Sequence, residues 1–422
     1  MEKEVEIIFD KFFLYKKNKF FVENIDLKKL VEKYGTPLYV YSYNYILKQI
    51  NNFKKAFSSF PTLVCYSIKA NSNINLLKIM KENGFGADVV SEGELRRALI
   101  TGFSGDKIVF AGVGKTEGEI EFAIKKKIYC FNVENEEEIK IIEKYGKKYK
   151  REVLYNIRLN LDLDVDTHHY IKTSKKETKF GLDFKTAKKI IKNSKKNKYA
   201  KLAGFHLHIG SQIKNVSFYI EALKKVEQFI KEIKFYPEII DLGGGFGIPY
   251  SEKDKVEPME NFGKKICEFL RKLKIKKLIL EPGRFIVGNT GILITEVLYV
   301  KKRKDKTFLI VDAGMNDLIR PALYGSYHKI IPYFKRKSKK IKMDVVGPVC
   351  ESGDFLGKDV LITEDIKRGD LIIIGSCGAY GFSMSSNYNS RRRPAEILVN
   401  GKKDILIRKR EKFNELWKNE IV

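Results

Sequence analysis

The sequence predicts an α/β barrel joined to an all-β part: a (β/α)8 TIM-like barrel followed by a C-terminal β-domain. Short apolar strands alternate with amphipathic helical stretches from about Thr62 to Arg284, and eight such units fit a closed barrel. After residue 290, strands follow one another with little helical period between them. We therefore expect the barrel to span residues 36–290 and the β-domain to span residues 1–35 and 291–422.

The barrel prediction depends on eight apolar segments separated by stretches with helical periodicity, such as INLLKIMKENG. The predicted strands are LVCYSIK (63–69), GADVVS (86–91), KIVFAG (107–112), YCFNVEN (129–135), VLYNIRLN (153–160), LAGFHLHIG (202–210), IIDLGGGFG (239–247) and LILEPGR (278–284). Together with their helices they cover about 220 residues, close to the ~250 that are typical of a barrel.

The β-domain is predicted from strands that are separated by turns. These strands are ILITEVLYVKK (292–302), TFLIVDAG (307–314), KMDVVGPV (342–349), DLIIIG (370–375), AEILVNG (395–401) and DILIRKR (404–410). The segment FFLYKKNKFFVE (12–23) reads as a hairpin, and we assign it to the same domain.

Polar side chains stand at the carboxyl end of most predicted barrel strands. They include Lys69, Asp88, Asn132, Glu134, Arg158, His208 and Glu281, and one further strand ends in the glycines that begin at Gly243. Catalytic groups of a barrel lie where the strands meet their following loops. The sequence therefore predicts an active site at that end of the barrel.

Composition limits the classes of partner. Lys and Arg total 81 against 53 Asp and Glu, a net charge of +28, but the lysines are scattered and no nucleic-acid motif accompanies them. We predict no nucleic-acid partner, although a positive field can attract small anions. No apolar run reaches the ~18 residues of a membrane span, the N-terminus lacks a secretory pattern, and the five cysteines form no CxxC pair. We expect a cytoplasmic protein without membrane contact.

Lys69 is unusual because it directly follows a buried strand, so its amine must be paired, neutral or covalently occupied. The glycines Gly243, Gly244 and Gly245 follow another strand and let main-chain N–H groups approach an anion closely, although a turn without a ligand has the same composition. This segment is neither GxGxxG nor a nucleotide P-loop.

Two histidines, His206 and His208, lie two apart on one face of a strand, a spacing that a metal pair also uses. Packed or hydrogen-bonded histidines fit equally well, and His208 can instead lie flat against a planar cofactor. Glu281 could pair with Arg284 or keep a pyridine nitrogen protonated. A barrel lysine, a glycine cradle, a stacking histidine and this carboxylate together describe pyridoxal phosphate.

Six segments resemble the signature stretches of the diaminopimelate decarboxylase family, in the alanine-racemase-like class of pyridoxal-phosphate enzymes. They are YSIKAN, FHLHIGSQ, DLGGGFG, EPGR, CESGD and GAYGFSMSSNYNSR, in this order between about Gly35 and Asn400. The resemblance implies a carboxy-lyase that converts meso-2,6-diaminopimelate to L-lysine and CO2, the last step of bacterial-type lysine biosynthesis. Arg392 departs from the family, which more often has proline there.

The resemblance also implies residue roles. Lys69 carries the cofactor, His208 stacks on its ring, Glu281 faces its nitrogen, and Cys350 donates the proton. The implied catalytic residues are Lys69, His208 and Cys350. The implied cofactor residues are Lys69, His208, Ser211, Gly243, Gly244, Gly245, Glu281, Pro282, Gly283, Arg284 and Tyr380. The implied substrate residues are Arg284, Arg320, Tyr324, Glu351 and Tyr380, with Asp88 and Arg158 in supporting roles.

In this family a homodimer shares its active sites, with Cys350 and Glu351 supplied by the partner subunit, and no metal is expected. Three alternatives stay open. Another decarboxylase of the fold would act on ornithine, arginine or carboxynorspermidine, against which Arg320 and Tyr324 argue. A racemase would need a tyrosine-type base where Cys350 and Glu351 stand. A non-catalytic cofactor-binding regulator would release no CO2.

Overall fold

The computed structural model describes residues 8–163 and 178–421. The chain forms two compact units, which interleave along the sequence. The barrel unit comprises Ile50–Gly247 and Val256–Gly283. The β unit comprises the described residues up to Gln49, the short segment Ile248–Lys255, and the described residues from Arg284 onward.

Eight strands close the barrel. They are Thr62–Ser67, Gly86–Val89, Ile108–Phe110, Cys130–Val133, Val153–Arg158, Ala200–His206, Ile239–Asp241 and Lys277–Leu280. Each strand pairs in parallel with the next along the chain, and the eighth pairs with the first through Leu278 opposite Thr62. The eight predicted strands and the barrel fold are thereby confirmed.

Helices follow seven of the barrel strands. They are Ile74–Glu82, Glu92–Thr101, Glu117–Lys125, Glu136–Lys148, Phe184–Ser194, Ser217–Ile233 and Met259–Lys272, and helix Tyr43–Phe57 precedes the first strand. Several begin at a polar cap: the Ser91 side chain accepts from the Glu94 N–H, and Thr116 forms a reciprocal capping box with Glu119. These caps fix where each strand-to-helix loop ends.

Small and branched apolar side chains pack inside the barrel. Cys65, Val109, Cys130, Ala203, Ile239 and Ile279 form one buried cluster contributed by six strands. A filled interior of this kind leaves polar groups only at the strand ends. The buried apolar layer therefore determines how far along the barrel axis the polar functional groups lie.

The β unit is built on a nine-stranded sheet whose longest strand is Gly291–Lys302. Its other strands are Leu38–Ser42, Thr307–Val311, Ile330–Pro332, Lys340–Val346, Phe355–Thr363, Leu371–Ile374, Ala395–Asn400 and Lys403–Arg408. A separate three-stranded sheet contains Phe13–Lys16, Lys19–Val22 and Ile25–Asp26. The predicted hairpin at 12–23 forms within it, with Lys17 and Asn18 at φ 48° and 65° in the turn.

Leu38–Ser42 lies within the sequence range 36–290 that we assigned to the barrel, yet it is a strand of the large sheet. It pairs antiparallel with Gly291–Ile294 and parallel with Ala395–Val399. All five of its residues are buried, as expected for a central strand covered on both faces. An apolar run of this length looks the same in sequence whichever sheet it joins.

Short helices complete the β unit: Leu27–Tyr34, Arg284–Val287 and Arg320–Tyr324. Two of them begin at arginines that the sequence analysis assigned to ligand binding. Among the helices in the described ranges, none has both the length and the apolar character to cross a bilayer.

Candidate active site

Lys69 lies in a single 3-10 turn, Ile68–Ala70, directly after the first barrel strand. Its Nζ is 2.8 Å from Oδ2 of Asp88, and the same oxygen accepts from Ser67 Oγ at 2.6 Å. Asp88 is fully buried, whereas a third of the Lys69 side chain (33%) is exposed. The lysine therefore tolerates its position by ion pairing, and its amine stays accessible for chemistry.

Glu281 follows the eighth strand and belongs to a buried cluster of two carboxyl groups. Asn132 Nδ2 donates to Glu281 Oε1 at 3.1 Å and to Asp241 Oδ2 at 2.9 Å. Asn156 Nδ2 in turn donates to Asn132 Oδ1 at 3.0 Å, and the Gly243 N–H donates to Asp241 Oδ1 at 2.9 Å. Neutral donors thus orient both carboxyl groups without neutralising them.

Burial raises the pKa of both Glu281 and Asp241, and the charge of Asp88 raises the pKa of Glu281 further, whereas that of Lys69 lowers it. His206 is also buried, with Nε2 3.5 Å from Glu281 Oε2. Burial lowers the pKa of His206 to about 4, so this imidazole is neutral and does not supply a positive charge. The two carboxyl groups therefore lack a cationic partner from His206, and a protonated nitrogen of a bound ligand could pair with them.

Within the described ranges, this cluster also contains a group of side chains whose spacing could hold a metal ion. Ligand atoms of His206, Asp241 and Glu281 lie within 4.8 Å of one another. Both oxygens of Asp241 accept hydrogen bonds, however, and burial favours the protonated form of both carboxyls. These features favour a proton in the cluster over a metal ion, and His208 does not join His206 in the set.

His208 is held through its ring nitrogen. The Gly244 N–H donates to His208 Nδ1 at 3.3 Å, and the ring lies 6.5 Å from that of His206 with 17° between their planes. Burial, with the charges of Arg158 and Lys69, lowers the pKa of His208 well below its ordinary value. A neutral, fixed imidazole can present a flat face to a ring.

The glycines are required by close approach of neighbouring groups. Gly243 has φ +64°, and a Cβ there would lie 2.8 Å from His208 Nδ1. A Cβ on Gly244 would lie 2.3 Å from the main-chain oxygen of Glu281. The Ile213 N–H donates to the oxygen of Gly245 at 2.8 Å, which joins this loop to the loop that carries Ser211.

Pro282 and Gly283 bring the end of the eighth strand beside Lys69. The Ser67 N–H donates to the Pro282 oxygen at 3.2 Å. A Cβ on Gly283 would lie 2.9 Å from Ala70 Cβ. Lys69, His208, the glycines and Glu281 therefore occupy one neighbourhood of the barrel unit, and the Lys69 charge acts on both His208 and Glu281.

The β unit carries a second group, the arginine cluster: Arg284, Arg320, Tyr250, His328 and Tyr380. Arg284 Nη1 donates to the Tyr250 hydroxyl, and its guanidinium carbon lies 4.9 Å from the centre of the Tyr380 ring. The Arg320 guanidinium carbon lies 4.9 Å from the centre of the Tyr250 ring. Both arginines are buried. Two buried cations on one tyrosine form a site for anions.

Tyr324 ends the short helix Arg320–Tyr324, and its side chain is close enough to Arg284 to interact with it electrostatically. Cys350 and Glu351 instead lie exposed in the turn between Lys340–Val346 and Phe355–Thr363. Two contacts shape that turn. Buried Asp354 accepts from the Val349 N–H at 2.8 Å, and Asn389 Oδ1 accepts from the Cys350 N–H at 2.7 Å. The pair therefore lies on the surface in a turn that these two hydrogen bonds support.

Tyr250, His328 and Asp241 were not among the residues selected from sequence. Asp241 is the first residue of DLGGGFG. A carboxyl at the end of a predicted barrel strand could have indicated a site residue in the same way as Glu281. Tyr250 stands five residues after Gly245, in the segment that leaves the barrel unit. His328 lies among exposed-type residues in GSYHKI, where nothing local indicates that it is buried.

Cofactor-free protein is expected to lose stability as the pH rises, because Glu281 holds its proton more tightly when folded. Burial raises the pKa of Glu281 from 4.5 to about 8. The stability of the folded protein is unaffected by this group below about pH 4.5, then falls as the pH rises toward 8, by about 5 kcal/mol in total. Urea denaturation at pH 6 and pH 8.5 should show the loss in the native sequence and much less in Glu281→Gln. Equal pH dependence in both proteins would refute the assignment.

Relatives match the chain over nearly all of its length. The diaminopimelate decarboxylase of Aquifex aeolicus is 44% identical over 403 residues, which is 95% of each chain. The solved structure of Helicobacter pylori diaminopimelate decarboxylase complexed with L-lysine is 40% identical, with a TM-score of 0.88 over 94% of this chain and 99% of that one. The M. jannaschii enzyme in co-complex with L-lysine is 36% identical, with a TM-score of 0.92 over 98% of both chains.

A barrel with a partly exposed lysine, a buried histidine, a glycine loop and a buried carboxyl at its strand ends is typical of the pyridoxal-phosphate-dependent barrel enzymes. The family model described as pyridoxal-dependent decarboxylase, pyridoxal binding domain, matches residues 43–288. Given also the relatives above, the chain belongs to the diaminopimelate decarboxylase family. The predicted family and the predicted cofactor, pyridoxal phosphate, are confirmed.

Proposed function

We propose that the protein decarboxylates meso-2,6-diaminopimelate to L-lysine and CO2. The observation that carries this substrate is the arginine cluster, in which Arg284 and Arg320 are both buried against Tyr250. A substrate with a carboxylate at each end needs guanidinium groups beyond those that hold a cofactor. The diaminopimelate decarboxylases that match the chain, two of them solved with L-lysine, support the same reaction.

Bound pyridoxal phosphate supplies an electron sink for the pair of electrons left when a carboxylate departs as CO2. In this proposal Lys69 holds the cofactor through Nζ. A protonated ring nitrogen beside Glu281 would lower the raised pKa of this carboxyl, and the carboxylate so ionised would in turn keep the nitrogen protonated, because opposite charges stabilise each other. His208 packs against the ring. Ser211, Gly243–Gly245, Arg284 and Tyr380 bind the phosphate.

Arg284, Arg320, Tyr324 and Tyr380 are proposed to bind the substrate, with carboxylate groups paired to the guanidiniums. Glu351 binds the distal ammonium. Cys350 gives the proton from Sγ to the α-carbon, which replaces the departed CO2, and the thiol then recovers a proton from water. Asp88 orients Lys69 through their ion pair, and Arg158 is held by Glu134 at 2.6 Å beside the same loops.

The proposal is tested by loading purified protein with pyridoxal phosphate and recording its visible spectrum before and after borohydride. We expect absorbance above 400 nm that borohydride abolishes, as is usual for a cofactor bound to a lysine amine. A panel of meso-diaminopimelate, ornithine, arginine and carboxynorspermidine then separates the candidate substrates. Release of CO2 with formation of L-lysine from diaminopimelate alone supports the proposal, and preferred turnover of another member rejects it.

We propose further that two copies of the chain form a homodimer with shared active sites. Cys350 and Glu351 are exposed in a hydrogen-bonded turn, where a second copy of the chain can reach them. Apolar side chains of the β unit are also exposed, among them Leu323, Tyr327 and Leu361 at 44%, 53% and 59%. Covering exposed apolar side chains is favourable, and a second copy of the chain is the partner that we propose.

Mixing two inactive variants tests this sharing. In the proposed dimer, each active site takes Lys69 from one chain and Cys350 from the other. The Lys69→Ala variant lacks the first of these residues, and the Cys350→Ala variant lacks the second. A hybrid dimer of the two contains one intact site in two, so a statistical mixture should recover up to about a quarter of native activity. Sedimentation should show a dimer in each case. A dimer whose mixture stays inactive would show that each site is built from one chain, and a monomer would remove the proposal.

We also propose that residues 36–290 carry the cofactor, that residues 1–35 and 291–422 contribute substrate and dimer contacts, and that the protein is cytoplasmic. All five cysteines are in the described part of the chain, and all are free thiols. Unpaired thiols suit a reducing compartment. Fractionation of cells that express the protein, followed by immunodetection, tests the location.

A further inference from the structure

Arg320 is held by neutral side chains. Its Nη1 lies 3.0 Å from Nε2 of His328, and its Nη2 donates to Ser326 Oγ at 3.2 Å. Within residues 8–163 and 178–421, none of the ion pairs found involves Arg320 and a carboxylate. The guanidinium is therefore buried with its positive charge intact.

The protonation of His328 follows from its two contacts. Arginine only donates hydrogen bonds, so Nε2 of His328 must be the acceptor. The proton must then lie on Nδ1, which is 2.9 Å from the main-chain oxygen of Gly375 and donates to it. Burial and the neighbouring Arg320 charge lower the pKa of His328 to about 3, in agreement with a neutral ring.

The His328 ring is also confined by packing. The Tyr250 ring meets it edge-on, with centroids 5.4 Å apart, and Cys377 Sγ lies 3.8 Å from Nδ1. The Tyr250 ring also contacts the Arg320 guanidinium. His328 and Tyr250 thus fix the guanidinium from two sides.

Arg336 in the same unit shows the alternative way to hold an arginine. Its Nη1 and Nη2 donate to the two carboxylate oxygens of Asp370, at 2.9 and 2.7 Å. That geometry neutralises the guanidinium and occupies the edge that would otherwise bind a ligand carboxylate. A neutral histidine orients Arg320 without either consequence.

We propose that His328 is a positioning residue for substrate recognition, which directs the Arg320 guanidinium toward a substrate carboxylate while leaving its charge unpaired. This inference rests on the proposed function, in which Arg320 binds that carboxylate. His328 itself touches neither cofactor nor substrate in this proposal. Its contribution is to the substrate-binding step rather than to the chemical step.

Two substitutions separate the contacts of His328. Asparagine places its amide near Nδ1, where it can still donate to Gly375 but does not reach Arg320. Glutamine extends to the position of Nε2 and can accept from Arg320. We expect His328→Asn to raise KM for meso-diaminopimelate by about tenfold or more with kcat within about threefold, because substrate binding loses an oriented donor. We expect His328→Gln to restore most of the native KM.

The same substitutions in an Arg320→Ala background provide the control. If His328 acts through Arg320, His328→Asn should change KM by less than about twofold there. An equal effect in both backgrounds would mean a structural role and would overturn the inference. So would a native KM in His328→Asn, or glutamine failing to restore KM in a protein with native cofactor absorbance and thermal stability.

Failure of the proposed function has a different result in this experiment. If Arg320→Ala alone leaves KM and kcat unchanged, the arginine does not bind substrate and the assignment of Arg320 falls, together with the inference. If Arg320→Ala raises KM but His328→Asn does not, only the inference falls.

Discussion

Replacing Lys69 with alanine lowers turnover of meso-diaminopimelate by at least about a thousandfold, the scale on which removal of a covalent catalytic group acts. The structure gives the reason, because Lys69 is the accessible amine at the carboxyl end of the barrel and Asp88 holds it by an ion pair. In the proposed mechanism, loss of Nζ removes the amine that tethers the cofactor. Turnover should be measured as CO2 release under saturating pyridoxal phosphate.

Two further variants separate the amine from its charge. Lys69→Arg keeps a positive charge beside Asp88 but has no amine that can attach to an aldehyde, so we expect it to be as inactive as alanine. Lys78→Ala removes an exposed lysine nine residues further on and should have native activity. Activity retained in Lys69→Arg, or borohydride-sensitive absorbance in Lys69→Ala, would contradict the role given to this lysine.

The second large effect is expected at Arg320. Its substitution by alanine should lower kcat/KM for meso-diaminopimelate by about a hundredfold to a thousandfold, or roughly 3 to 4 kcal/mol. A buried guanidinium whose charge is not neutralised gives a strong, directional contact to a carboxylate. The visible spectrum of the loaded enzyme should be unchanged, because Lys69 and the barrel are untouched.

Arg303→Ala is the matched control, since Arg303 is an exposed arginine of the same unit. It should leave kcat/KM at the native value. The substrate panel adds a second check, because loss of Arg320 should narrow the preference for a dicarboxylate over ornithine. An Arg320→Ala enzyme with native kcat/KM would remove the substrate assignment but leave the family and the cofactor in place.

The fold was predictable from sequence because each barrel strand is apolar and ends in a polar residue. Lys69 and Glu281 were found in the same way, from a charged side chain at the end of a buried strand. Contacts between distant positions were not predictable. Asn132 bonds to Asp241, 109 positions away, and no local pattern relates two such residues. His328 was missed because its burial depends on the packing of Tyr250 and Gly375 around it.

The sheet that strand Leu38–Ser42 joins could not be predicted from sequence, for a related reason. Its five buried residues show no alternation, so the sequence reports a central strand without saying which partners it has. The partners, Gly291–Ile294 and Ala395–Val399, come from the far end of the chain. Pairing with these distant strands therefore determines which sheet Leu38–Ser42 joins.

That long-range pairing governs how the polypeptide matures during synthesis. Leu38–Ser42 emerges from the ribosome early, but its parallel neighbour at Ala395–Val399 is translated more than 350 residues later. During most of elongation, this apolar strand has main-chain N–H and C=O groups that lack a strand partner. Chaperones can protect such a segment from aggregation in that interval. A chain that stops before residue 395 lacks this parallel partner, so we expect it to leave one edge of Leu38–Ser42 unpaired and to be less soluble than the full chain.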